Sequence, residues 1–247
     1  MTSREDWQRR LGPLYGGAVA LVHSTPLSWP SEIGIGDEVR SPGWIVALGA
    51  PIGLAAWAAA ALAHAAGIPS PIAAIVGLAI MTLCSAALVE RGLGERVDGW
   101  LGHAKEHASM GAVVAVVLVT VIRATCIAFV SPASWLAVFV ATAMAGRYAA
   151  IFLQALGDPI REDGEHRSLV AAPAPAWLTA ALGIGTAAVA VLALGKAGIV
   201  ALALAAIVAF VLGIDAQRRD HGLSGPVVGT AAAVAELLLL LLASAAH

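Results

Sequence analysis

The chain has 247 residues, of which 60% are hydrophobic and 12% charged, with a formal net charge of −2. A soluble domain carries about 25% charged residues, so this chain has too little polar surface to cover a water-soluble globule. Intrinsic disorder and a disulfide-built secreted module are excluded with it, and the charge balance provides no basic field for nucleic acid.

An all-α, polytopic membrane bundle remains, with membrane lipid as its first partner and no nucleic acid. The chain reads as a single membrane domain over 1–247, divided into a leading segment 1–43 and a helical bundle 44–247. The first ten residues are polar, and the weakly apolar stretch 11–22 runs into Ser24-Thr25-Pro26 without a cleavage site, so a signal peptide is not expected. A helix over 11–24 is interfacial or re-entrant on this reading. From residue 41 to residue 89 there is no Asp, Glu, Lys or Arg, and Gly67-Ile68-Pro69-Ser70-Pro71 breaks the run as a tight turn. The expected spans are 44–66, 71–89, 110–131, 134–155, 176–194, 197–214 and 227–245, each near the ~20 residues that a bilayer core requires. The ten-residue alternating segments of a membrane barrel are absent. Cys84 and Cys126 fall inside apolar runs and read as small hydrophobes. The tryptophans cluster near span ends, as interface anchors do.

Seven spans place segments 1–43, 90–109, 156–175 and 215–226 on one side, and these hold 26 of the 30 charged side chains. The positive-inside rule then puts the N-terminus and the charged loops in the cytoplasm, with the bundle in the plasma (inner) membrane. Polar chemistry gathered at one surface favours an enzyme working at the interface over a transport path through the bilayer. Arg123, Arg147 and Glu236 fall inside spans, where charges pair or line a polar cavity. The segment Asp158 to Arg167 reads as a solvated loop.

After the second span the chain reads Val89-Glu90-Arg91-Gly92-Leu93-Gly94-Glu95-Arg96-Val97-Asp98-Gly99. On a helix Glu95 and Asp98 share a face. Carboxylates of this kind suit Mg²⁺, which commonly bridges to substrate phosphates. The stretch resembles the signature H-x-D-G-L-A-D-x-x-D-G of cobalamin synthase (adenosylcobinamide-GDP ribazoletransferase). Gly92, Leu93, Asp98 and Gly99 match, Glu95 replaces an Asp, and Arg91 stands where the family has a carboxylate. The resemblance runs on in chain order. Ser24-Thr25-Pro26 lies near the family's opening R-L-P element, and His103 to Gly111 stands in place of its basic stretch. Gly146-Arg147 corresponds to a G-R pair, and Arg218-Arg219 leads into Ser224-Gly225, Gly229 and Glu236. Pro226 and Ala233 replace further carboxylates.

The resemblance implies a membrane enzyme that joins adenosylcobinamide-GDP to α-ribazole or its phosphate and releases GMP with Mg²⁺ as cofactor. Its substrates are a nucleotide-activated corrinoid and α-ribazole (phosphate), and other corrinoid-pathway enzymes or a second copy are partners to consider. It implies Glu90, Glu95 and Asp98 as metal ligands, with Glu95 and Asp98 catalytic. Arg91, His103, Lys105, His107, Ser109, Arg218, Arg219, Ser224, Gly225 and Glu236 would contact substrate. Three alternatives stand beside this reading. One is a paralogue that binds ligand without turnover. Another is a membrane metalloprotease, because His103-Ala104-Lys105-Glu106-His107 fits H-x-x-E-H. The third is a transporter.

Overall fold

The computed structural model describes residues 4–27, 42–102, 108–157, 160 and 167–246. Among these the chain is helical, with no strand. In chain order the helices are α1 (Arg4–Leu11), α2 (Tyr15–Ser24), α3 (Pro42–Ala47), α4 (Gly49–Ala65), α5 (Ser70–Cys84), α6 (Leu88–Leu101), α7 (Met110–Ala128), α8 (Trp135–Gln154), α9 (Ala176–Leu194), α10 (Lys196–Arg219) and α11 (Gly225–Ala246). By length and composition six stretches can cross a membrane, and α5 with α6 makes a seventh if the bent pair is one span. The polytopic all-α expectation is met.

The second expected span, 71–89, differs from the structure. Its helix stops at Cys84, and α6 leaves at 75° to α5. Ala86 and Ala87 carry the turn with φ of 51° and 52°, a left-handed conformation that costs an L-residue roughly 1–2 kcal/mol each. Neither a glycine nor a proline marks the spot, so periodicity alone carries the helix past it. At the other boundary, α10 runs five residues beyond the expected 214, where an Arg219–Asp215 pair at 2.8 Å spans its last turn.

Helices α8 and α11 are the most enclosed of the spanning elements and pack on each other. Small residues let the backbones meet, as lipid-embedded bundles require. A Cβ on Gly53 would lie 2.5 Å from the Val140 Cα, and one on Gly49 2.8 Å from the Met144 Cα, which locks α4 onto α8. Large apolar side chains point outward instead, including Val117, Leu118 and Val121 on α7 and Ile207, Phe210 and Val211 on α10. In water such a surface would aggregate; facing acyl chains it is the expected outer face.

The segment that follows α8 is tied down although it lacks regular structure. Gln154, buried at the end of α8, donates through Nε2 to the Leu169 carbonyl at 3.1 Å and accepts from the Ala171 amide at 2.7 Å. The Ser168 amide donates to the His23 carbonyl at 3.1 Å, and Arg167 Nη2 to the Pro26 carbonyl at 3.1 Å. Residues 167–171 are thus pinned between α2 and α8. Gln154→Ala orphans the buried Ala171 N–H, and about 1–3 kcal/mol of stability should be lost. The expected readouts are a lower unfolding midpoint in detergent and faster tryptic cleavage after Arg167. Unchanged cleavage would show that the segment is held by something else.

Candidate functional site

The hydrophobic stripe of α6, formed by Leu88, Val89, Gly92 and Leu93, faces the bundle. The crossing of α6 over α11 occurs at two glycines: a Cβ on Gly92 would fall 2.7 Å from the Gly229 Cα, and one on Gly229 2.9 Å from the Gly92 Cα. Thr230 Oγ1 donates to the Gly92 carbonyl at 3.2 Å across the same contact. Two glycines singled out in separate motifs are therefore one structural device, and they bring α6 and the start of α11 together.

That crossing forms the floor of a shallow cleft. Helix α6 contributes Arg91, Gly92 and Glu95, helix α11 contributes Gly225 and Gly229, and the pinned segment contributes Arg167 and Ser168. Arg91 and Glu95 are one helical turn apart and paired, Nε to Oε1, at 2.6 Å, with both side chains largely exposed. Among the described residues the cleft is lined by two guanidiniums and one carboxylate. Gly225 is the first residue of α11, and Ser224 before it accepts the Val227 and Val228 amides at 3.1 Å through its carbonyl.

The other expected metal ligands lie elsewhere. Glu90 points into the bundle, where its Oε1 accepts from Thr82 Oγ1 at 3.0 Å and from Arg123 Nη1 at 2.6 Å. Arg123 Nη2 also pairs with Glu236 Oε2. Gly146 makes room for that carboxylate, since a Cβ there would lie 2.7 Å from Glu236 Oε1. Arg147, the next residue, is fully enclosed. It donates to Ser85 Oγ at 2.9 Å and to the Ala143 carbonyl at 3.1 Å. Two arginines and two glutamates form a charge-balanced buried set, the arrangement that makes intramembrane charges tolerable. Glu236 therefore belongs to this set and is not among the groups lining the cleft.

Asp98 is buried and accepts the Ser109 amide at 3.1 and 3.3 Å, while Ser109 Oγ caps α7 by accepting the Ala112 amide at 3.1 Å. Glu90, Glu95 and Asp98 thus serve three different partners. Among the described residues no three His, Cys, Asp or Glu side chains are grouped to hold a metal ion. These three carboxylates are not grouped as one Mg²⁺ site. His103, Lys105 and His107, with the H-x-x-E-H stretch, lie outside the described residues.

A second polar cluster fixes the far end of α6. Arg96, buried, donates from Nη2 to Asp215 Oδ2 at 2.6 Å and from Nη1 to Asp220 Oδ2. Its Cζ lies 5.5 Å from the Trp100 ring centroid, and Trp100 Nε1 donates to Asp215 Oδ2 at 3.0 Å. Arg219 completes the cluster through Asp215. Arg218 is exposed and stands apart, at the edge of an apolar groove between α8 and α10. Sequence reasoning missed Arg167, Thr82, Ser85 and the Arg96 cluster. The apolar run after Arg167 was the available signal that this part of the loop is buried.

A family model described as cobalamin-5-phosphate synthase matches residues 18–244. No solved structure matches the chain.

Proposed function

The chain belongs to the cobalamin-5-phosphate synthase family, an enzyme family of late cobalamin biosynthesis, and from that premise we propose that it transfers adenosylcobinamide phosphate from its GDP-activated form to α-ribazole or its phosphate, releasing GMP. The observation that carries the reading is the convergence of α6, α11 and residues 167–168, distant in sequence, on one cleft at the charged end of the bundle. In this reaction the ribazole hydroxyl oxygen attacks the phosphorus bonded to the cobinamide side, and the P–O bond to GMP breaks. The leaving GMP carries the charge, and guanidiniums are suited to hold phosphate oxygens in place. Among the described residues Glu95 is the carboxylate lining the cleft; in this reading it takes the hydroxyl proton and fixes the Arg91 guanidinium. The charged end faces the cytoplasm, where soluble nucleotides are found.

Arg91–Glu95 pairing favours a second reading, a family member that binds the corrinoid without turnover. The Glu95 carboxylate is engaged by Arg91, and a cation stands where the family signature has a metal-binding group. Both are tested by incubating the purified protein in lipid nanodiscs with adenosylcobinamide-GDP and α-ribazole, beside a family member that keeps every carboxylate. Product and GMP are expected from both proteins. Product from the control alone overturns the transfer reading, and corrinoid retained on this protein in that sample establishes the second.

A further inference from the structure

We propose that the groove between α8 and α10 binds one anionic phospholipid, which lays an acyl chain along the apolar part of the groove and places its phosphate on Arg218. The groove is separate from the cleft between α6 and α11, and its occupant does not depend on the transfer reading.

The pattern on α10 points to this ligand. Phe210, Gly213, Ile214, Gln217 and Arg218 line the groove, at spacings of three and four that put them on one helix face. That face is apolar as far as Ile214 and polar from Gln217 onward. From Phe210 to Arg218 is roughly 12 Å along the axis at ~1.5 Å per residue, which fits within one leaflet of a ~30 Å hydrocarbon core. The polar end coincides with the charged end of α10, so the stripe runs from headgroup depth into hydrocarbon. Opposite it, Leu153 of α8 and Leu223 are both fully buried and form the floor. A Cβ on Gly213 would come 3.0 Å from Leu153 Cδ1, so the two helices touch there.

The groove has a volume of about 220 Å³, against the ~30 Å³ share of one water, and apolar walls give water no partners. Left empty, its lining would forfeit dispersion contacts. An acyl chain restores them, and α10 already turns Phe210, Val211 and Ile214 outward. The two adjacent arginines differ in their commitments. Arg219 pairs with Asp215 at 2.8 Å, whereas Arg218 is exposed and makes no hydrogen bond or ion pair with a described residue. Its N–H donors are open to a phosphate, which a guanidinium holds bidentately. A soluble anion would use Arg218 and leave the apolar stripe without a role. An apolar helix from a second copy would cover the stripe and leave the guanidinium without a partner. A phospholipid of net negative headgroup matches both ends, and a zwitterionic one matches less well because its own cation competes for the phosphate.

The full chain, purified in non-ionic detergent, is titrated with palmitoyl-oleoyl phosphatidylglycerol or phosphatidylcholine, and bound lipid is followed by native mass spectrometry. The first phosphatidylglycerol should bind about tenfold more tightly than the first phosphatidylcholine, the scale of a charge-assisted contact. Arg218→Gln should remove that preference. Arg219→Gln, which deletes the same charge one residue away, should keep it; a general surface attraction would weaken equally in both. Elution volume in size exclusion verifies that both variants fold. Dihexanoyl phosphatidylglycerol, with the same headgroup on short chains, should bind more weakly. Phosphatidylglycerol carrying a diazirine in its acyl chain should cross-link on irradiation to residues 153–157 and 210–214, and less so in Arg218→Gln. Equal affinity for the two lipids, equal losses in the two arginine variants, equal binding of the short-chain lipid, or labels spread evenly over the lipid-facing helices would overturn the proposal. A lipid-free dimer that dissociates in Arg218→Gln would overturn it too, because the groove would then belong to a second copy.

Discussion

Glu236→Leu is expected to destabilise the bundle by about 3–5 kcal/mol, the loss found when one partner of a buried ion pair is removed. Glu236 is 1% exposed and Arg123 2%, so water cannot replace the lost carboxylate. Arg123 would retain Glu90 on Nη1, and the set of Arg123, Arg147 and Glu90 would be left with one uncompensated positive charge. Gly146 makes room for the glutamate side chain: a Cβ there would lie 2.7 Å from Glu236 Cγ. Glu236→Gln keeps the shape and an acceptor oxygen, so it should lose less than the leucine. The quadruple replacement Glu90→Gln, Arg123→Met, Arg147→Met, Glu236→Leu removes all four charges of the set, and much of the stability should return, because a balanced set has little net worth over apolar packing. Buried Cys126 reports the outcome in a Cys84→Ala background: its reaction with a thiol dye should begin at lower temperature in Glu236→Leu and return towards the parent midpoint in the quadruple variant. An unchanged midpoint in Glu236→Leu would show that the ionic set does not hold α7 to α11.

The spans were legible because each is long and apolar, and because the Gly67–Pro71 turn is written in residues with fixed backbone preferences. The bend between α5 and α6 was not, since alanines carry it and alanine reads as helix. Intramembrane charges were legible as members of some pair, but not which pair. Arg123 finds Glu90 33 residues away and Glu236 113 residues away, and only packing selects these from the other carboxylates. The acidic motif misled for a related reason. Helical spacing puts Glu95 and Asp98 on neighbouring positions, yet Asp98 caps the approach to α7 while Glu95 serves Arg91. Spacing sets which residues share a helix face, and the elements packed against that face decide what each side chain does. Arg167 shows the converse: a residue in a charged loop becomes part of the cleft because Gln154, far back in α8, binds the backbone that follows it.

Gly92→Ala should separate the roles of the motif glycines. Its Cβ would meet the Gly229 backbone at 2.7 Å, and backbone cannot step aside as a side-chain tip can. Helices α6 and α11 must part, the Thr230 hydrogen bond to the Gly92 carbonyl must lengthen, and Arg91 and Glu95 must move away from Gly225 and Arg167. Overpacking of this kind costs about 1–3 kcal/mol. A displacement near 1 Å at a site that depends on two walls is expected to reduce turnover about 100-fold. Gly99→Ala, in the same helix and the same signature, meets nothing within 4 Å and exchanges glycine for a better helix former, so its unfolding midpoint should stay level or rise by the equivalent of about 0.5–1 kcal/mol. Thermal midpoints and transfer turnover of the two variants, measured side by side, decide the matter. If Gly92→Ala matches wild type in both, the crossing is more compliant than its contacts indicate and does not set the width of the cleft. A loss confined to Gly92→Ala shows that this motif glycine is required for the approach of two helices, and that the cleft is built from that approach.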